Sequence, residues 1–234
     1  MKETAKRIPH QSYYNKDKIK VPGVTTVLNI LSKPNLLDWA WKCGLKNIDY
    51  KAERDTKADI GTLAHKMITE KLMGNEIDTS DYLPEEIDKA ENCVISFWTW
   101  YKQNPIKVEF VEKQMVSEKY QFGGCCDIYG SILGIPMLID LKTGKAIYEE
   151  FMYQLAAYKQ LLIDNGYPVK LCKIIRIGRE ENEGFEVLDF EDTEIEMDIF
   201  LNALSIYNLK KLIKKEDEFY NYCKEVSDKK GAIK

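Results

Sequence analysis

Apolar positions recur at helical spacing through the first hundred residues and then change period. In VPGVTTVLNILSKP, Val27, Leu28, Ile30 and Leu31 follow Thr25 and Thr26, whose hydroxyls suit a helix N-cap, and Pro34 is expected to end that short helix. A second helix is expected over about 35–46, with Leu36, Leu37, Trp39, Ala40 and Trp41 supplying apolar contacts. A longer one is expected over about 56–73, closed by Gly74, and another over about 84–103 behind Pro84, carrying Ile87, Val94, Phe97, Trp98 and Tyr101. From Val108 to Lys142 the chain turns rich in Val, Ile, Tyr and Phe with glycine-marked turns, the pattern of three consecutive strands. A helix is then expected over Glu149–Asn165, strands at KLCKIIRI and GFEVLDF, and a last helix from about Thr193 to Glu225. The first 20 residues, with paired Tyr13 and Tyr14, read as a loop or short hairpin. No repeat or Pro/Gly/Ser linker divides the chain. The order implies one α/β domain over 1–234 with a mixed central sheet flanked by helices. Its parts are a mostly helical 1–105, a sheet core with an inserted helix over 106–190, and a C-terminal helix over 191–234.

Composition narrows the class. A chain of 234 residues with 44% hydrophobic and 31% charged residues can bury a real core, which argues against a disordered chain. No apolar run approaches the roughly 20 residues of a membrane span, and the charged start MKETAKRIPHQSYYNKDKIK has no signal-peptide core. A cytoplasmic protein without membrane partners is expected. Cys43, Cys93, Cys125, Cys126, Cys172 and Cys223 are scattered and form no CxxC pair, so buried reduced thiols are expected rather than a zinc site. The net charge of −4 argues against a broad basic surface. Two local clusters stand out. Lys170, Lys173, Arg176 and Arg179 lie in a strand-like segment and suit a nucleic-acid backbone, whereas Lys210, Lys211, Lys214 and Lys215 read as a solvated face.

The stretch GGCCDIYGSILGIPMLIDLKTG carries the chemistry. Alternation puts Asp140 and Lys142 on one side of a strand. A tight turn at Leu133-Gly134 pairs Ile132 with Ile135, and counting outward sets Asp127 opposite Asp140. Cross-strand Cβ atoms are about 4.5–5.5 Å apart, so two carboxylates meet beside a lysine. Such a pair repels unless a proton or a cation intervenes, and oxygen ligands suit Mg²⁺ or Mn²⁺. A solvated trio is the plain alternative. It is disfavoured because Asp140 sits among Leu138, Ile139 and Leu141, where a bare carboxylate is costly.

As a set, these residues resemble the RecB-like branch of the PD-(D/E)xK nuclease superfamily. The set comprises Gly124 with Asp127, Asp140-Leu141-Lys142 thirteen residues on, Gln154 with Tyr158, and GTLAH ending at His65. VPGVTTVL and NLLDWAWKCG are similar to the N-terminal region of that branch's phage-type and mitochondrial-maintenance exonucleases. The resemblance implies a restriction-endonuclease-like core. It makes His65, Asp127, Asp140 and the Leu141 carbonyl metal ligands, and Lys142 the catalytic lysine beside Asp127 and Asp140. Gln154 and Tyr158, four apart on one helical face, would orient substrate or support Lys142. Glu112 stands where relatives often carry a glutamate. The branch often has an acidic residue four after its histidine; here that place is Thr69, and Glu70 follows on another side of the helix. With only Cys172 and Cys223 downstream, no iron–sulfur cluster is expected.

Other readings of single residues remain beside these. Thr25 and Thr26 could hold a phosphate through backbone N–H groups or simply cap a helix. The four tryptophans, Trp39, Trp41, Trp98 and Trp100, could stack bases but more commonly pack in a core. Cys125 and Cys126 point to opposite faces as small fillers, and His10 has no context for a site. The function implied is Mg²⁺- or Mn²⁺-dependent hydrolysis of DNA, with exonuclease action on single-stranded ends, alongside recombination, repair or replication proteins. An endonuclease or nuclease subunit is the alternative within the class. A catalytically inactive nucleic-acid-binding module and a small-molecule metal hydrolase are the alternatives outside it.

Overall fold

The computed structural model describes residues 11–231, with the side chains of 181, 219 and those from 221 onward left aside. His10 and the Cys223 thiol therefore lie outside the described residues. The described residues begin with a small antiparallel hairpin, β1 (Tyr13–Tyr14) and β2 (Lys20–Val21), followed by a five-residue helix α1 (Val24–Leu28). Gly23 occupies the N-cap of α1 with no side-chain bond, so neither Thr25 nor Thr26 caps it. Pro34 does not end this helix. It opens α2 (Pro34–Leu45), where its missing N–H costs nothing in the first turn.

Helix α3 (Tyr50–Leu72) starts six residues earlier than the apolar pattern suggests, because Asp49 caps it by accepting from the N–H groups of Lys51 at 2.9 Å and Ala52 at 3.3 Å. Gly74 follows its end at φ +79, the left-handed closure expected there. Helix α4 (Pro84–Tyr101) has Pro84 in its first turn, and Glu86 accepts from the Leu83 N–H at 3.0 Å.

The sheet follows. β3 (Lys107–Ser117), β4 (Phe122–Ile132) and β5 (Ile135–Thr143) form an antiparallel meander. Helix α5 (Glu149–Asp164) crosses over to β6 (Leu171–Ile177), which lies parallel to β5, and β7 (Phe185–Phe190) closes the order β3-β4-β5-β6-β7. Leu133 at φ +50 and Gly134 at φ +79 make the two-residue turn, and Ile132 pairs with Ile135 as the spacing requires. Helix α6 (Glu194–Gly231) ends the described chain.

One face of the sheet is covered by α1, α5 and the first part of α6, with Phe122, Leu138, Tyr158, Leu161 and Phe200 in the core. The other is covered by α3 and α4, with Leu63, Ile68, Phe97, Ile139 and Leu141. Burying each such side chain contributes about 1.5–3 kcal/mol before chain entropy is set against it. The fold is thus a mixed five-stranded α/β sandwich. Helix α2 departs from expectation: Leu37 is 70% and Trp41 67% exposed, so its apolar side is not core. Trp39 is half-buried and meets the Tyr50 ring edge-on at 6.4 Å; Trp98 and Trp100 pack as expected. Cys43, Cys93, Cys126 and Cys172 are buried free thiols, while Cys125 is only half-buried.

Candidate active site

Regular strands send residues three apart to opposite faces. Phe110 and Lys113 break this rule, since the Lys113 ammonium lies 4.4 Å over the Phe110 ring. On the neighbouring strand, Cys126 and Tyr129 both join the core beside α5. Both strands therefore switch faces at one level, Glu112 beside Asp127. Glu112 takes φ +49 there, a left-handed conformation that costs a non-glycine residue. Glu112 consequently faces the α3 side, where it lines a cleft of about 550 Å³ with Lys57, His65, Glu70, Lys142 and Arg179.

The ladder between β4 and β5 stops at Ile128↔Ile139, one pair short of the aspartates. Asp127 and Asp140 are therefore not ladder partners, as simple counting suggests. Beyond the last pair, the Asp127 side chain takes up the backbone, with Oδ2 accepting from the Leu141 N–H at 2.8 Å. Asp140 is fully buried, and the Lys142 ammonium approaches its Oδ2 to 2.6 Å. That contact is an ion pair without hydrogen-bond alignment, for neither Asp140 oxygen has a directed partner among the described residues. Lys142 also lies 5.1 Å from the Phe151 ring on α5, which fixes the direction of its stem.

His65 arrives from α3. Its Nδ1 lies 3.6 Å from Asp127 Oδ2, and the imidazole keeps 24% exposure toward the cleft while protein surrounds the rest. Gly61, one turn earlier, lets the helix come this close: a Cβ there would sit 2.6 Å from Thr143 Oγ1 on β5. Gly124 serves the opposite face in the same way, since a Cβ would meet the Tyr158 ring at 2.7 Å. Tyr158 is buried behind the carboxylates, and Gln154 Nε2 donates to its hydroxyl at 2.8 Å. These two support the site from α5; neither lines the cleft.

Charge is balanced tightly. Burial pushes the Asp140 carboxyl up to about 6, with Lys142 opposing the shift and Asp127 adding to it. Asp127 is likewise raised by burial, against Lys142 and its backbone hydrogen bond. Burial, Asp127 and Glu70 push Glu112 up to about 7. His65 moves the other way, down to about 4, through burial and then the Lys142 charge, so it is neutral near pH 7. The Tyr158 hydroxyl is held protonated by burial and the two aspartates.

Such a set fits a divalent cation in kind. Three carboxyls whose pKa values burial raises, a neutral imidazole and two buried oxygens without directed partners are the donors a hard cation takes. Among the described residues, no three His, Cys, Asp or Glu side chains are already closed into metal-holding geometry; the Lys142 ammonium provides the cationic contact to Asp140.

Other expected site residues are placed elsewhere. Thr25 and Thr26 are exposed on α1 and do not line the cleft. Glu70 does reach it, although Asn75 Nδ2 donates to it at 2.8 Å. Of the basic cluster after α5, Lys173 is paired with Asp189 at 2.6 Å and Arg176 with Glu186 at 3.1 Å. Arg179 alone of the four lines the cleft, with Nη2 donating to the Thr143 carbonyl at 2.7 Å. Lys57 and Lys66 also line it and were not singled out, although Lys57, Gly61 and His65 fall on one helical face. A second hollow of about 460 Å³ beside the hairpin contains none of these groups.

No protein-family model matches the chain, and no curated protein does. Among solved structures it is similar to an alkaline exonuclease from Laribacter hongkongensis, at 12% identity over 84% of this chain and 93% of that one, TM-score 0.39. A complex of that exonuclease with dAMP matches at 15% identity over 70% and 92%, TM-score 0.35. A phage-related exonuclease from Haemophilus somnus 129PT matches at 12% over 66% and 82%, TM-score 0.38. Likeness at this level carries no argument about this chain.

Proposed function

We propose that this chain is a divalent-metal-dependent DNA exonuclease that hydrolyses phosphodiester bonds at single-stranded ends, in recombination, repair or replication. The observation that carries the reading is Asp140: a fully buried carboxylate without a directed hydrogen bond, in contact with Lys142, beside Asp127 and His65, at a cleft bordered by further cations. A purely structural ion pair would bring aligned hydrogen bonds to compensate its burial. The preference for DNA ends rests on the motif resemblance.

Mg²⁺ or Mn²⁺ would be held by Asp127, Asp140, His65 and the Leu141 carbonyl, with Glu112 at hand, and would supply Lewis-acid stabilisation of the charge on the phosphate. Lys142 orients the attacking water from the carboxylate side. Asp127 is held in place by the Leu141 N–H, which donates to its Oδ2 at 2.8 Å. Lys57, Lys66 and Arg179 hold the strand's phosphates across the cleft mouth. One water adds to phosphorus and the bridging P–O bond breaks, leaving a phosphate on one fragment and a hydroxyl on the other.

End-labelled single- and double-stranded DNA, incubated with Mg²⁺, Mn²⁺ or chelator, tests this. The natural chain should degrade linear single strands only with metal, and Lys142→Ala should lose on the order of a hundred-fold or more. Cutting of circular single strands would turn the reading to an endonuclease. DNA binding without cutting under either metal would turn it to an inactive binding module.

A further inference from the structure

Among the described residues, the second half of α6 has no partner within the chain. Phe200, Ala203 and Leu204 are buried against α1 and α5, and Tyr207 is the last half-buried residue. From there to Gly231 run 231 − 207 = 24 residues, about 36 Å of helix. Every described residue from Asn208 onward is exposed. In proteins most of a helix's stability comes from packing an apolar face rather than from intrinsic propensity. Yet this one carries Ile206 at 48% exposure, Leu209 at 57%, Leu212 at 56%, Ile213 at 58% and Tyr220 at 70%. Ile206, Leu209, Ile213 and Tyr220 are spaced by three, four and seven, which puts them along one stripe.

Charge along the same segment is divided into two blocks. Lys210, Lys211, Lys214 and Lys215 come first, followed at once by Glu216, Asp217 and Glu218. A second copy laid parallel and in register would set lysine against lysine and acid against acid. A second copy laid antiparallel, crossing near residues 213 and 214, sets Lys210, which flanks the stripe, beside the partner's Asp217 and covers both apolar stripes. The sequence is thus complementary to itself in one direction only, as a two-fold interface requires.

We propose that the projecting half of α6 pairs antiparallel with the same segment of a second copy, joining two molecules tail to tail. The catalytic cleft lies between α3 and the sheet, on the face opposite the one α6 packs against. The pairing therefore leaves both clefts open. It stands independently of the nuclease reading. An interface of one helix per copy falls below the roughly 800 Å² per partner of a standard complex, so association in the micromolar range is expected.

Sedimentation equilibrium of the full chain from 1 to 200 µM, at low and high salt, tests the proposal. The natural chain should form a dimer that weakens with salt, because its ion pairs are exposed. Leu209→Asp with Ile213→Asp should leave a folded monomer, with helix content checked by circular dichroism. Lys210→Glu with Lys211→Glu should weaken the dimer at least ten-fold, and adding Asp217→Lys with Glu218→Lys in the same chain should restore it. A monomer at 200 µM would overturn the proposal. So would a dimer indifferent to Leu209→Asp with Ile213→Asp, or one that Lys210→Glu with Lys211→Glu leaves unchanged, as parallel pairing would. Loss of single-stranded DNA binding in these lysine variants, with the natural chain monomeric throughout, would assign the segment to nucleic acid instead.

Discussion

At the scale of single residues, the site is a set of charges held in expensive places. Glu112 shows the cost most directly. Its carboxyl is pushed up to about 7 by burial and by Asp127 and Glu70, and its backbone sits at φ +49. A carboxyl raised in the folded state favours folding fully below its unfolded value near 4.5, and that advantage is lost as pH rises through 7. Replacing Glu112 with glutamine removes the group that must ionise. In metal-free protein, Glu112→Gln should therefore gain about 1–2 kcal/mol relative to the natural chain between pH 5 and pH 8, after discounting for partial exposure. Urea melts at the two pH values with chelator present measure it; equal differences at both would sink the idea. A divalent cation at pH 8 should narrow the gap, by stabilising the natural chain. Asp127, Asp140 and Lys142 were legible in the sequence because charged residues interrupt an apolar run. The inward turn of Glu112 was not, since strict alternation would have carried it to the other face.

At the scale of elements, helix α3 and strand β5 meet through one glycine. A Cβ at Gly61 would fall 2.6 Å from Thr143 Oγ1, so one of the two must shift. Alanine also favours a helix interior by about 1 kcal/mol over glycine, which works against the clash. The two effects separate in a double-mutant cycle. Gly61→Ala alone should destabilise by about 1 kcal/mol or more, and Gly61→Ala in a Thr143→Ala background should stabilise by roughly the helix-propensity gain. Thermal melts of the four chains give the coupling, and additivity would show that the approach is looser than it stands. Existence and type of the major helices and strands were legible from period alone. Ends were not: α3 begins at Tyr50 because Asp49 caps it, in a stretch with no apolar signal. Pro34 begins a helix instead of ending one.

At the scale of the molecule, a chain of net charge −4 gathers Lys57, Lys66, Lys142 and Arg179 around one cleft. These cations share the cleft with Glu70 and Glu112, and Lys57 is paired with Glu53 at 2.9 Å, while two cations of the downstream cluster are neutralised by Asp189 and Glu186. If the cleft holds a phosphate backbone, Lys57→Gln and Lys66→Gln should each weaken binding of single-stranded DNA about equally across sequences. Each should also lower the slope of log affinity against log salt by about 0.7, whereas Lys173→Gln should leave it unchanged. Fluorescence anisotropy titrations at several salt concentrations decide this; an unchanged slope in Lys57→Gln and Lys66→Gln would place the strand elsewhere.

By itself the sequence determined what depends on neighbours along the chain. Period sets helix or strand, the Leu133-Gly134 turn sets the register of β4 on β5, and a two-residue step puts Asp140 and Lys142 on one side. Tertiary structure decided what depends on contacts between distant segments. The early parting of β4 from β5, the reversal of faces at Glu112 and Asp127, the depth to which α3 brings His65, and the cations that reach the cleft all belong to it. Each is a compromise between local backbone preference and packing from across the sheet, and a linear pattern contains only the first of those two terms.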